Sequence, residues 1–408
     1  MPKTIERKPR VVRGTTVAEV VAAVGQARAT GEHLVPRGGG HCFAGRSSAG
    51  EVVLDLTGLD AVSVAADGTA TVGAGARLAQ VYDQLHANGR ALPAGCGPTV
   101  GIAGLTLGGG IGLIGRKYGL TCDRLLGAQL VLADGSVVET DENREPELFW
   151  ALRGAGGGQF GVVTELRFAT VPAPVVTRVA ADWVVRAPEE LVAAWQAWAP
   201  GTPDDLTVNL ALISQPGQAI RAVLAGAGLL AEDPTRELLQ ELSDLSGTPV
   251  PFQLRGGLSL RDLKRSFADP PDAPHHTTLR IRSEFFGHAL TDGVLDALLT
   301  RLRAGGGPRH LSFTAMGGAY NRIAPDATAF AHRNERFLLE HVARRADPWI
   351  DASWTTAHAD GSGHVYPNFP DPALADGPTA YHAENLARLR TVKNTYDPGH
   401  FFHFPQGL

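Results

Sequence analysis

Glycine is concentrated in three short runs of this chain, at 37–45, 95–112 and 154–161, and that clustering constrains the fold more than any other feature. The total is 49 in 408 residues, about 12% against an ordinary share of roughly 7%. The runs have no period, so neither a collagen-like repeat nor a flexible linker is indicated. Without a Cβ, backbone can approach another backbone or a ligand closely. Successive N–H groups in such a run also form a concavity that suits a phosphate or pyrophosphate. The densest stretch is Gly108-Gly109-Gly110-Ile111-Gly112. A dinucleotide fingerprint of the G-x-G-x-x-G type is absent; Gly73-Ala74-Gly75 is only a poor beginning of one. One cluster alone is equally well explained by tight turns and close sheet packing. Three within the first 161 residues favour a backbone wall built around a phosphate-bearing ligand.

The length predicts two domains, and an apolar fraction of 44% with 19% charged residues supplies large cores. A net charge of −5 offers no basic footprint for nucleic acid and disfavours an anionic membrane. No run approaches the roughly 18 apolar residues of a membrane span, and the basic start MPKTIERKPR is followed by no apolar signal-peptide core. The three cysteines, Cys42, Cys96 and Cys122, lack C-x-x-C or histidine spacing. They therefore indicate neither a disulfide framework nor a zinc site, and a cytoplasmic protein without a bound metal is expected.

Periodicity predicts a helix over 17–30, with Thr16 and Glu19 as a capping box, Val17, Val20, Val21 and Val24 on one face, and Gly31 as its stop. Strands are predicted at 34–35, 52–56 and 162–168, with hairpins over 62–72 and 129–139 turning at Asp67-Gly68 and Asp134-Gly135. A second helix carries Leu78, Val81, Tyr82 and Leu85. The stretch Val171-Pro172-Ala173-Pro174 is the best domain boundary. Beyond it, strand-like runs at 178–185, 206–213, 219–224, 278–286 and 310–316 alternate with amphipathic helices at 189–198, 235–245 and 293–303. That texture suggests an antiparallel sheet covered by helices, within an α+β fold.

His41 follows Arg37-Gly38-Gly39-Gly40. Residue chemistry alone allows two readings: a histidine that hydrogen-bonds a turn, or an imidazole nucleophile placed beside a cofactor. A wider pattern bears on the choice. Arg37–His41, Pro98-Thr99-Val100-Gly101, 107–112, Arg116-Lys117-Tyr118-Gly119-Leu120-Thr121-Cys122-Asp123 and Phe160-Gly161-Val162-Val163-Thr164 stand in order. They are followed by Tyr366-Pro367-Asn368-Phe369-Pro370-Asp371 and Tyr396-Asp397-Pro398. This ordered set resembles the berberine-bridge-enzyme-like FAD-linked oxidases of the vanillyl-alcohol-oxidase superfamily, which carry the PCMH-type FAD-binding domain. The match is strong over 10–172 and 364–408 and loose between.

The resemblance implies a two-part FAD-binding domain over 1–172, a substrate domain over 173–363 on an antiparallel sheet, and a tail, 364–408, that returns to the FAD domain. It implies that 37–42 wraps the pyrophosphate and that His41 is joined covalently to the flavin. The implied cofactor contacts are Arg37, Gly38, Gly39, Gly40, His41, Cys42 and Gly45; Gly95, Gly97, Thr99, Val100, Gly101, Gly104 and Leu105; Gly108, Gly109 and Gly110; Gly161 and Val163; and Asn368. Many relatives add a second link from a cysteine immediately before Pro-Thr-Val-Gly. Here that position is Gly97, and Cys96 lies one residue earlier. Neighbours in an extended loop point to opposite sides, so single attachment through His41 is expected.

Tyr366 matches the tyrosine that such relatives place beside the flavin as a base, with Tyr118 as a second pocket candidate. A phenol with its ordinary pKa near 10 is a poor base at neutral pH. It therefore needs a cation or a donor, for which Arg116, Lys117 and the His332-Arg333 pair are candidates. His364 is an alternative base, and Asp371 reads as a turn residue. Ser47 and Ser48 have no base at identifiable spacing. The implied activity is hydride transfer from an alcohol, amine or related C–H of a secondary-metabolite or sugar-like small molecule, with O2 as acceptor and hydrogen peroxide as product. A flavin-containing drug-binding or resistance protein is the competing function. Substrate identity, stereochemistry and oligomeric state are not legible.

Overall fold

The computed structural model describes residues 9–267 and 278–408. All but the last two positions of the amino-terminal run behind the signal-peptide reading lie outside the described residues. Thr16 and Glu19 form the expected capping box on the helix Val17–Thr30, and Gly31, at φ +71°, ends it. Val20, Ala23, Val24 and Ala27 form its buried face. Ala23 and Ala27 complete the face with Val20 and Val24, while Val17 and Val21 are only partly buried. This helix covers a three-stranded parallel sheet in which Val52–Asp55 lies between Arg10–Arg13 and Leu34–Arg37.

A second sheet has five antiparallel strands in the order Val62–Val64, Thr69–Gly73, Val162–Ala169, Leu125–Val131 and Val137–Thr140. Its hairpins turn where the Asp-Gly pairs stand, with Asp67 and Asp134 accepting from the N–H two residues on. The glycine runs occupy the connections of these two sheets. One follows Leu34–Arg37, one flanks the short helix Ile102–Leu107, and one joins the helix Pro146–Leu152 to Val162–Ala169.

The third large sheet is antiparallel and has seven strands. Their order is Gln253–Ser259, Val175–Val184, Arg221–Gly228, Leu206–Ser214, Arg309–Ala315, Phe337–Arg344 and Leu279–Phe286. Helices Pro188–Trp198, Glu232–Ser246, Asp292–Arg303 and Trp349–His358 close one face over a core containing Trp195, Phe313 and Phe337. The two strands at 253–259 and 337–344 were not anticipated. The first is a glycine-containing edge strand with weak alternation. The second starts with three consecutive buried apolar residues, which masks a period of two.

Val171-Pro172 pairs with Arg90-Ala91, and the chain enters the large sheet at Val175. The terminal helix Leu386–Tyr396 packs against Pro146–Leu152. From its last turn the buried Lys393 Nζ donates to Asp397 Oδ2 (2.7 Å), Phe402 O (2.6 Å) and Gln159 O (2.5 Å). One ammonium thus ties the tail to the third glycine run. The architecture is α+β. Among the described residues no helix is long and apolar enough to cross a membrane.

Candidate active site

Between the glycine connections and the open face of the seven-stranded sheet lies a cavity of about 480 Å³, within the range of small-molecule and cofactor sites. One wall is mostly backbone. Gly38, Gly39, Gly40, Gly95, Gly97, Gly101, Gly104 and Gly161 line it, as do Gly156–Gly158 of the third run, which were not among the individual contacts implied by resemblance. The reason for glycine is explicit at the crossing of two loops: a Cβ on Gly39 would lie 2.1 Å from Gly101 N, and one on Gly101 2.3 Å from Gly39 N. The loops meet backbone to backbone, and no side chain fits between them.

Of the other residues implied by resemblance, His41, Cys42, Val100, Leu105, Val163, Tyr366 and Asn368 also line the cavity. Arg37, Gly45, Thr99 and Tyr118 are not in its lining. Arg37 instead pairs with Asp55 across the parallel sheet at 2.9 Å. Gly45 N closes a turn onto Cys42 O. Thr99 Oγ1 lies 2.8 Å from His41 Nε2. Tyr118 packs, partly buried, with Leu113, Ile114 and Cys96.

Gly108, Gly109 and Gly110 of the densest glycine run, expected from the resemblance to touch the cofactor, are not in the lining. They stand back from the cavity, and other side chains occupy the space where their Cβ atoms would be. A Cβ on Gly108 would lie 2.3 Å from Asn368 Oδ1, and one on Gly110 2.2 Å from Thr121 Oγ1. The run is a socket that seats Asn368 and the ring of Tyr366.

The Tyr366 hydroxyl oxygen accepts from Gly110 N (3.0 Å), Ile111 N (3.2 Å) and Asn368 Nδ2 (3.0 Å). Asn368 Nδ2 also donates to Leu105 O at 2.9 Å, which fixes the amide's orientation. Burial pushes the Tyr366 phenol up to about 12, and the three donors work against that rise. None of the four cationic residues named from sequence donates to it. Arg116 bonds the carbonyls of Pro200, Thr202 and Leu206, Lys117 pairs with Asp205, Arg333 with Asp123, and His332 Nε2 meets Tyr381 O. Phe369, Phe285 and Phe330 hold the Tyr366 ring edge to face. His364 pairs with Glu335 and is not in the cavity lining. Asp371 does cap its own turn through Ala373 N, but it is also buried and ion-paired with Arg282 at 2.5 Å.

Cys96 lines the cavity. Burial pushes its thiol up, against the pull of the nearby Lys264 charge. Lys264 is itself buried, bonded to Tyr82 Oη and to Ala94 O (2.7 Å) and Gly95 O (3.2 Å). Burial brings its ammonium down to about 7.

The opposite wall is made of side chains. Thr207, Asn209, Thr314, Leu338 and Glu340 project from the large sheet into the cavity, while Val208, Leu210, Phe313 and Leu339 enter the helix-covered core. Burial pushes the Glu340 carboxyl up to about 7, with Thr314 Oγ1 3.4 Å away working against the rise. These residues were missed from sequence. The alternation at 207–210 was a usable signal; an acid inside Phe337-Leu338-Leu339-Glu340 gave none about its direction.

Two family models match the chain: one described as FAD binding domain over residues 9–141, and one as Berberine and berberine like over 365–408. An uncharacterized FAD-linked oxidoreductase of Bacillus subtilis, YgaK, is 33% identical over 397 residues, covering 92% of this chain and 86% of that protein. The xylooligosaccharide oxidase of Thermothelomyces thermophilus is 30% identical, covering 98% and 86%. Among solved structures, Physcomitrella patens BBE-like 1 superposes with a TM-score of 0.89 at 29% identity, over 97% of this chain and 90% of that one. A xylooligosaccharide oxidase from Myceliophthora thermophila, in complex with xylobiose, gives 0.87 at 27% identity over 97% and 90%.

Proposed function

Because the chain belongs to the berberine-like FAD-linked oxidoreductases, we propose that it oxidises a hydroxyl-bearing, sugar-like small molecule, with Tyr366 as the proton acceptor and O2 as the final electron acceptor. The single observation that carries the reading is the convergence of three N–H donors on the Tyr366 oxygen at the cavity wall. A neutral phenol must also place its own proton, so three donors suit the oxygen best when it bears negative charge.

Bound FAD supplies a two-electron acceptor for the hydride. Gly38–Gly40, Gly95, Gly97, Gly101, Gly156–Gly158 and Gly161 would hold it, since their bare backbone leaves the space and the N–H groups a pyrophosphate and ring system need. His41 would be the covalent tether, with Thr99 Oγ1 holding Nε2 and so directing the ring's other nitrogen to the bond. A thiolate is the reactive form of cysteine, and burial disfavours it at Cys96, so one tether is proposed rather than two.

With Tyr366 as the phenolate, the substrate C–H gives up hydride while its O–H proton passes to Tyr366 Oη, which leaves a carbonyl product and a neutral phenol; O2 reduction releases hydrogen peroxide. Asn368 and the Gly110 and Ile111 amides stabilise the phenolate, a contribution of the oxyanion-hole kind. Thr207, Asn209, Thr314 and Glu340 would orient the other hydroxyls. The polarity of that wall supports a polyhydroxylated substrate over an apolar one.

A panel of oligosaccharides and hydroxylated metabolites, scored for flavin bleaching without oxygen and peroxide release with it, tests the proposal. Tyr366→Phe should keep the bound flavin and lose at least about 100-fold in kcat on the best substrate. Unchanged turnover in that variant would refute Tyr366 as the base, and tight binding without turnover by the unaltered protein would favour sequestration.

A further inference from the structure

Behind Tyr366, away from the cavity, His332, Glu335 and His364 each aim a ligand-type atom into one spot, all within 4.8 Å of one another. We propose that these three residues bind one divalent transition-metal ion of the zinc class.

His332 is 1% exposed, and its Nε2 lies 3.0 Å from Tyr381 O. A carbonyl can only accept, so Nε2 carries the hydrogen and the Nδ1 lone pair points away from it. That Nδ1 has no hydrogen-bond partner. Glu335, 4% exposed, is in the same condition: Oε1 meets His364 Nδ1 at 3.1 Å, while the buried Oε2 has none. Two enclosed acceptors with lone pairs left over are costly, and buried polar groups are nearly always satisfied. The cation nearest in sequence does not answer the need, because Arg333 spends its guanidinium on Asp123 at 2.6 and 2.9 Å.

Two imidazole nitrogens and one carboxylate oxygen are an established zinc donor set that leaves a fourth position for water. The carbonyl behind His332 is the partner a metal-bound histidine ordinarily uses to fix its tautomer. Tetrahedral zinc with bonds of about 2.1 Å wants its donors roughly 3.4 Å apart. The widest pair must therefore close by up to about 1.4 Å from 4.8 Å, and His364, with 28% of its side chain exposed, is the member able to move. Glu284 lies beside the cluster with its carboxylate held by Gly363 N (2.7 Å) and His358 Nδ1 (2.8 Å).

The ion would join segment 332–335 to segment 364–366. The His332 ring also packs on Phe285 and Phe330, two of the three rings that flank Tyr366. The consequence is structural: the metal stiffens the support of the phenol without touching the reacting atoms. None of this follows from cysteine spacing, which is why no metal was expected from sequence.

The test uses full-length FAD-loaded protein, purified without a metal-affinity step, dialysed against EDTA and titrated with zinc chloride by calorimetry, with elemental analysis of the product. One equivalent should bind in the micromolar range or tighter and raise Tm. Glu335→Gln and the more exposed His364→Ala should each weaken binding at least about 100-fold and abolish the Tm shift, with the bound-flavin spectrum confirming folding. The proposal is overturned if the unaltered holoprotein takes up no stoichiometric zinc, or if uptake and Tm shift persist in His364→Ala.

Discussion

The two walls of the cavity are built on opposite principles. The glycine wall is backbone: its shape depends on the absence of Cβ atoms, and its loops touch at Gly39 and Gly101 with no room to spare. The sheet wall is side chain: Thr207, Asn209, Thr314, Leu338 and Glu340 face the cavity while their neighbours Val208, Leu210, Phe313 and Leu339 anchor in the core. The first should tolerate no substitution where its loops cross at Gly39 and Gly101, and the second should tolerate many, each altering what is bound rather than whether the protein holds together. The difference suits a wall that holds an invariant cofactor and a wall that selects a substrate.

That contrast can be broken most decisively at Gly39. Gly39→Ala forces a methyl to within 2.1 Å of Gly101 N, so the loops must part. The expected result is near-complete loss of bound FAD and a stability loss of about 3 kcal/mol or more, read from flavin absorbance and denaturant unfolding. A variant that loads flavin normally would show the backbone wall to be adaptable.

A smaller effect is expected from the opposite wall. Glu340→Gln should keep its flavin and lose about 10- to 100-fold in kcat/KM. It should also remove a pH dependence. The folded protein holds this carboxyl at about 7 against a usual 4.5, so it keeps the proton after an unfolded chain has released it. The group's stabilising share is complete below pH 4.5 and is lost as pH rises through 7. Relative to the unaltered protein, Glu340→Gln should therefore gain stability on going from pH 4.5 to pH 8, by at most about 3 kcal/mol. A flat difference across that range would place the carboxylate in water.

The smallest expected effect tunes the tether alone. Thr99→Val removes the partner of His41 Nε2 and should slow covalent flavin attachment by roughly tenfold, about 1.4 kcal/mol, with noncovalent FAD still bound.

The contrast also explains what was legible in the sequence. Local rules sufficed for the helix Val17–Thr30, capped by Thr16 and Glu19, and for the two Asp-Gly hairpins. Gly38–Gly40 and Gly95–Gly101 announced a backbone wall because missing side chains are visible in a sequence. The meaning of Gly108–Gly110 was not visible, since the groups that fill the space, Asn368 and Thr121, meet it only through tertiary packing. The donors to Tyr366 were sought among cations, and two of the three are backbone amides, which every residue carries. Glu340 stayed hidden because its strand begins with an unbroken apolar run, and the burial that shifts its carboxyl comes from the assembled cavity.

The central claim is that the glycine wall holds FAD tethered once, at His41. It is tested most directly by acid-precipitating the unaltered protein and His41→Ala and measuring flavin absorbance in pellet and supernatant. The account predicts flavin in the pellet for the unaltered protein and in the supernatant for His41→Ala. Flavin that remains in the pellet of His41→Ala would contradict it and move the bond to Cys96.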